Sequence, residues 1–528
     1  MVEFAKSAKP GCQLLQLKNN LIKKNLISFL TFLFVWIVFG YAAGVFQHLN
    51  EAPMGVHQSA QCDRASLAQN YYENGFDFFH PEVNEDRCTD GIVSCELPFT
   101  NYLAALLYKL LGFHEYWFRL LSYLFISLGM YAVFLLFRLY LHVITSFILV
   151  FFINASPVIL FYSANFLPDI TSLGLMLIAW YLFFKIHIAH TYHPPLKSSG
   201  YQLLMILCLS IGIASKTTSL IQWMTMLAVL IFSHISIFKI NLLDRKKLSI
   251  TLICSMLIPV AWFLWSRHLS QTHNSQYFMM SIPHSENMEA YQNAWHVYLA
   301  NWPPQTFSEP MIYILMLLFF VVIALKKFIS PQVWFISVIN FIGSTAFLCI
   351  MIEQFKYHDY YVICLFPSFI LSWIALAEAS ASIQPKFWWV KISAFILICL
   401  AGKQQFMLGT TNLEERYTPG NYWEQSHLNA KDYRVFGLQL KALGINRDAC
   451  VVAGNDNAPN NILYLLNLRG HRFSSDHDNE RISHIINGSR PAYLISNDSN
   501  FTNKVRPAVK ALKLKTTYKY LNAYDIVY

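Results

Sequence analysis

Apolar runs separated by polar turns organise this chain. They cover residues 26–46, 117–141, 144–161, 170–184, 203–214, 220–238, 248–265, 311–325, 333–352, 361–376 and 387–400. A helix needs about 20 apolar residues to cross a bilayer, so with their polar flanks these runs predict about eleven transmembrane helices. The first run follows Lys18, Lys23 and Lys24. It is longer than a signal-peptide core and lacks a convincing cleavage site, so it is read as a retained helix.

Three polar pieces interrupt this pattern. Residues 26–406 form the expected transmembrane domain, after a cytoplasmic tail over 1–25. Within that domain lie an outer loop over 47–116 and a second outer loop over 266–310. In the first loop, 97–111 is apolar with Tyr and Lys at helical spacing, which predicts an amphipathic helix along the interface. Residues 407–528 read as a small soluble α/β domain. Strands are expected over 449–453, 492–496 and 518–528, and a helix over 461–468 with Gly470 as its stop. The turn Gly454-Asn455-Asp456-Asn457 has two readings, a binding crevice or a tight strand-to-helix turn, and the turn is favoured.

Composition agrees with a polytopic α-helical membrane protein. Of 528 residues, 55% are hydrophobic and only 13% charged, against about a quarter charged in ordinary soluble chains. Disordered, coiled-coil and typical soluble-enzyme readings are thereby excluded. The net charge of +9 resolves once the helices are threaded alternately. With the N-terminus in the cytoplasm, Arg138, Lys197, Arg245, Lys246, Lys247, Lys326, Lys327 and Lys386 fall inside, while Lys216, Arg267 and Lys356 fall outside. The excess is a topology signal rather than a nucleic-acid footprint. It places both outer loops and the tail on the extracytoplasmic side of the membrane. The ten cysteines form no CxxC pair; of Cys62, Cys88 and Cys95 in the first outer loop, Cys88 and Cys95 are the favoured disulfide.

Ionisable residues beside apolar helices then stand out. Asp63, one to two turns beyond His57, reads as a helix N-cap or a reactive carboxylate. Glu96 reads as an exposed helix start or a ligand. Asp169 follows Pro168 and opens an apolar helix, as a cap or a site residue. Lys216 lies in a short turn on the side where Lys is disfavoured; it either snorkels or meets a phosphate. The run Lys356-Tyr357-His358-Asp359-Tyr360-Tyr361 enters another helix, as an aromatic belt or part of a site. All of these converge on the outer boundary. That suits chemistry on a lipid-linked, phosphate-containing substrate better than a transporter, which places polar groups near mid-membrane.

The stretch Asp63-Arg64, Asn70-Tyr71-Tyr72-Glu73-Asn74-Gly75-Phe76, Phe79-His80-Pro81, Glu96-Leu97-Pro98, Tyr102, Tyr108, Gly112 and Arg119 resembles the first outer loop of bacterial polyprenyl-phosphate-dependent GT-C glycosyltransferases. This group is related to protein O-mannosyltransferases and aminoarabinose transferases. Pro168-Asp169, Lys216, the run from His358 to Tyr361 and Pro367 follow in the expected order. The resemblance implies a GT-C-like fold. It implies transfer of a hexose or pentose from a polyprenyl-phosphate donor to a glycan, lipid or protein hydroxyl, with inversion. It nominates Asp63 as general base, although Arg64 stands where the O-mannosyltransferase branch often has Glu. A leaving phosphate needs charge stabilisation, which Lys216 with Arg64 or Arg119 would supply. Glu96 and Asp169 would orient Lys216 or bind sugar hydroxyls, with His57 in the same group. His358 and Tyr361 would bind phosphate or line the lipid groove, and Trp295, His296 and Trp302 would wall the donor. No His and carboxylate spacing forces a metal site, and a divalent metal stays open. The competing readings are a lipid-linked sugar translocase or other transporter, and a receptor-like membrane scaffold.

Overall fold

The computed structural model describes residues 10–188, 199–275, 285–383, 388–418, 429–474 and 479–528. Lys197 and Lys386, and residues 276–284 of the second outer loop, lie outside them. Among the described residues, six helices are long and apolar enough to cross a membrane: Glu115–Phe137, Pro168–His187, Arg245–Thr272, Pro331–Ile350, Asp359–Ser382 and Lys391–Tyr417. Two further pairs bend sharply, Val143–Asn154 with Pro157–Ser163 by 83° and Met288–Thr306 with Glu309–Ala324 by 108°. Leu26–Ala42, Ser199–Ser215 and Thr217–Phe232 are shorter apolar helices. Counting each bent pair as one span gives eight, short of the eleven or so expected. Each expected apolar run still falls on a helix.

Proline explains the bends. Pro157 and Pro310 both stand in the first turn of the second helix of their pair. Neither proline can donate a backbone hydrogen bond to the preceding helix, and Pro157 also holds Ser156 out of helical geometry, so the chain breaks there. The apolar run over 144–161 hid this break because both halves are equally hydrophobic.

Pro168–His187 is the central helix. It is apolar around its whole circumference, and 89% of its apolar window is buried, as expected for a helix enclosed by others. It crosses Glu115–Phe137 where two glycines meet. A Cβ on Gly129 would lie 2.6 Å from the Gly174 Cα. The far end of this helix meets the segment before Arg245: Leu243 N–H donates to the His187 carbonyl at 2.9 Å. The basic group Arg245–Lys247 therefore sits at the opposite end from Asp169.

The first outer loop carries two helices, Gln58–Asn74 and Phe99–Leu111. The second has the expected amphipathic form, with Ala104, Ala105 and Tyr108 buried and Leu106, Leu110 and Leu111 exposed. The last apolar helix, Trp388–Tyr417, runs through the domain boundary expected at 406–407.

The tail holds a five-stranded sheet: β1 Cys450–Gly454, β2 Arg469–Arg472, β3 Tyr493–Ser496, β4 Ala511–Tyr518 and β5 Leu521–Val527. Strand order is β2-β1-β3-β5-β4. β1 is parallel to β2 and β3, and β5 is antiparallel to β3 and β4. Gly470 does not stop a helix as expected. It lies in β2 at φ +147°, where a Cβ would strike the Val451 carbonyl at 2.0 Å. Asn467, left-handed at φ 57°, ends the helix Asn461–Leu466 instead. The Gly-Asn-Asp turn is structural in form. The Asp456 carboxylate accepts from the amides of Ala458 at 2.9 Å and Ile462 at 2.8 Å, tying the turn to the helix.

The tail is fastened to the first outer loop. Cys88 is bonded to Cys450, not to Cys95 as expected. Cys95 is a free, buried thiol packed with Leu67, Val83 and Val93, whereas Cys450, the partner of Cys88, opens β1. Arg447 pairs with Glu73 at 2.6 Å and Arg469 with Asp86 at 2.9 Å. The Gly470 amide donates to the Asn84 carbonyl at 3.1 Å.

Candidate active site

The helix Gln58–Asn74 starts after His57, a left-handed residue at φ 56°. Asp63 is therefore in the second turn and caps nothing. Its Oδ1 accepts a hydrogen bond from Asn460 Nδ2 of the tail at 2.8 Å. Burial pushes the Asp63 carboxyl up to about 6, although the Asn460 bond and the charges of Arg64 and Arg472 oppose the shift. Glu85 and Asp456 are close enough to act on its charge, and burial pushes them up to about 7 and about 6.

Arg64 diverges from its neighbour and pairs with Glu96 at 2.7 Å. Burial works against the ionised Glu96, but the Arg64 guanidinium and the Lys216 ammonium outweigh it, and the carboxyl titrates below its ordinary value. The Leu97 amide donates to the Ala214 carbonyl at 2.9 Å. That bond ties the Glu96 segment to the turn bearing Lys216.

Lys216 is 8% exposed and does not snorkel. Its Nζ lies 3.1 Å from Asp169 Oδ1, above the rings of Tyr360 at 5.1 Å and Tyr361 at 4.8 Å. Asp169 stands in the first turn of the central helix, where a carboxylate meets the positive end of the helix dipole. A small cavity opens beside this pair, lined among others by Thr218, Ser219, Gln222 and Cys364.

A second buried ion pair adjoins the first. Asp359 Oδ2 lies 2.8 Å from Arg416 Nη1, and both side chains are fully buried. Asp359 Oδ1 accepts from the Tyr162 hydroxyl at 2.6 Å and lies 3.1 Å from His57 Nε2. The His57 and His358 rings stack at 5.3 Å. Burial pushes the His358 imidazole down to about 4, which favours its neutral form at physiological pH.

Of the residues nominated from sequence, Arg64, Glu96, Asp169, Lys216, His57, His358 and Tyr361 gather into one linked cluster, and Asp63 adjoins it through the charge of Arg64 while its carboxylate faces Asn460. Arg119 does not join it. It is fully buried and donates to the carbonyls of Ala164 at 2.9 Å and Glu51 at 2.9 Å and to the Tyr417 hydroxyl at 2.9 Å. Of the proposed donor wall, Trp302 donates to the Lys356 carbonyl at 3.0 Å beneath the cluster, while His296 is exposed. Arg416 and Asp359 were missed as a pair. The one signal for Arg416 was a cation beside Tyr417, which the structure places in the last turn of the helix Trp388–Tyr417. Among the described residues no group of three or more His, Cys, Asp or Glu is arranged to hold a metal ion.

The fold and part of the sequence match known proteins. Residues 96–272, about a third of the chain, match the family described as dolichyl-phosphate-mannose-protein mannosyltransferase. Among solved structures, ArnT from Cupriavidus metallidurans in the apo state aligns with a TM-score of 0.61 at 12% identity, covering 94% of this chain and 97% of that one. The same protein bound to undecaprenyl phosphate aligns at 0.60 and 11% identity, over 94% and 97%. The apo oligosaccharyltransferase of Archaeoglobus fulgidus aligns at 0.51 and 12%, over 92% and 73%. No curated protein matches significantly. The chain is a membrane protein with the GT-C, ArnT-like fold.

Proposed function

We propose that this protein is a membrane glycosyltransferase. It takes a sugar from a polyprenyl-phosphate donor and transfers it to a hydroxyl acceptor on the outer face of the membrane, with inversion. The observation that carries the proposal is the site itself. A half-buried carboxylate of raised pKa, Asp63, and a buried, ion-paired Lys216 occupy one end of an ArnT-like bundle. Asp63 removes the proton of the acceptor hydroxyl as its oxygen attacks the anomeric carbon. The bond from that carbon to the phosphate oxygen breaks, and the lipid phosphate leaves as an anion. Lys216 and Arg64 stabilise the growing negative charge, so the leaving group needs no proton. Asp169 and Glu96 hold those two cations in place. The tyrosine rings of Tyr360 and Tyr361 flank the ammonium, and His358 offers a neutral polar edge.

The positive-inside pattern supports an outer location for this end of the bundle and an inner one for Arg245–Lys247. The test is a transfer assay with purified protein in lipid nanodiscs, using a panel of undecaprenyl-phosphate-linked hexoses and pentoses. Release of undecaprenyl phosphate together with a product of inverted anomeric configuration is expected. Lipid flipping without any release would favour a translocase, and retention of configuration would remove the single-displacement mechanism.

A further inference from the structure

Asn460 sits where the tail meets the loop helix. It immediately precedes the helix Asn461–Leu466 and is fully buried. Its carboxamide is used at both ends. Nδ2 donates to Asp63 Oδ1 at 2.8 Å, and Oδ1 accepts from the Glu85 amide at 2.9 Å. The second bond orients the first: an oxygen aimed at the Glu85 N–H leaves only the NH2 group to face the carboxylate. The position of Asn460 is fixed from its own side too. Asp456 ties the preceding turn to the helix through the Ala458 and Ile462 amides. The Cys88–Cys450 disulfide and the Arg447–Glu73 and Arg469–Asp86 pairs hold the surrounding tail against the loop.

We infer that Asn460 is a positioning residue for Asp63, so that the tail domain completes the catalytic centre of the transmembrane domain. The inference rests on Asp63 being the general base. A donor on one carboxylate oxygen favours the ionised form and fixes the direction of the other oxygen toward an incoming hydroxyl. Other groups also act on the Asp63 charge. These are Cys62 and Arg64 on its own helix, Glu85 on the loop, and Asp456 and Arg472 on the tail. None of them supplies the bond that Asn460 makes.

The test is the pH dependence of kcat for the full chain, using the most active donor of the undecaprenyl-phosphate panel. Asn460→Ala removes the donor. Asn460→Asp keeps an acceptor for the Glu85 amide but sets a carboxylate oxygen against Asp63. Both changes disfavour the ionised base, so the acid limb of kcat should move to higher pH, by about one unit in Asn460→Ala and further in Asn460→Asp. Donor KM should stay within about twofold. Non-reducing electrophoresis for the Cys88–Cys450 bridge checks that the tail still docks, and the near-isosteric Asn460→Asp covers the case in which Asn460→Ala misfolds. A limb at its original pH, with kcat unchanged or lowered equally at every pH, would overturn the inference. Asp63→Asn in the same assay separates the two claims. If it is inactive while the limb stays fixed, only the role of Asn460 falls. If it turns over normally, the base assignment falls and the role of Asn460 with it.

Discussion

Asp63 and Arg64 are neighbours in sequence, yet their side chains serve different parts of the molecule. One meets the tail through Asn460, and the other meets Glu96. A base titrating near 6 must be ionised to act, so protonation below that pH removes activity. The account therefore expects kcat to fall about tenfold per pH unit below roughly pH 6, and a pH–rate profile checks it. Lys216 makes a second residue-level prediction. Removing it alone strands the buried Asp169, at a cost of about 3–5 kcal/mol in stability. The paired change Lys216→Met with Asp169→Asn avoids that charge, and donor affinity should still weaken by about tenfold to a hundredfold. Titration with undecaprenyl phosphate reads this directly; unchanged affinity would remove Lys216 from the phosphate site. These residues were legible in the sequence because a chain with 13% charged residues makes a carboxylate or ammonium beside an apolar run conspicuous. Arg416 escaped because it lies well past the apolar run 387–400, where a cation looks like ordinary solvated flank, although the helix itself continues to Tyr417. Arg119 misled for the opposite reason. Its position fitted the family pattern, but backbone carbonyls absorb its donors.

Helix positions followed the apolar pattern closely, because twenty-odd apolar residues leave few alternatives. Breaks within apolar runs did not, since hydrophobicity is blind to proline geometry. Strands β1, β3 and β5 were legible from apolar content. β2 was not, because Arg469-Gly470-His471-Arg472 carries no apolar side chain and is a strand only through its pairing with β1. β4 was lost because its lysines at 513 and 515 read as surface loop. The disulfide was mispaired because sequence proximity favoured Cys95, whereas the fold brings Cys450 to 5.3 Å from Cys88 between Cα atoms. Peptide mapping without reduction should recover a Cys88–Cys450 link, and Cys95→Ala should leave it intact; a Cys88–Cys95 peptide would contradict the docking of the tail. The glycine crossing offers a prediction about packing. Gly174→Leu forces side-chain atoms into the Phe125 backbone, where even a Cβ would lie 2.3 Å from the carbonyl oxygen. It should destabilise the bundle by at least about 1–3 kcal/mol, seen as a lowered Tm in detergent.

At the scale of the whole molecule, charge has two jobs. Arg245–Lys247 and the site around Asp169 and Lys216 lie at opposite ends of the central helix. On the proposed reading, the first group fixes orientation and the second serves chemistry at the opposite boundary. The tail, an α/β unit that sequence recognised but could not dock, closes over the loop helix and reaches the candidate base. The measurement that bears most directly on this account is single-turnover transfer by Asp63→Asn, with donor affinity measured in parallel. The account predicts that kcat falls by about a hundredfold to ten-thousandfold while undecaprenyl phosphate still binds and the Cys88–Cys450 bridge still forms. Turnover equal to that of the unaltered protein would contradict it.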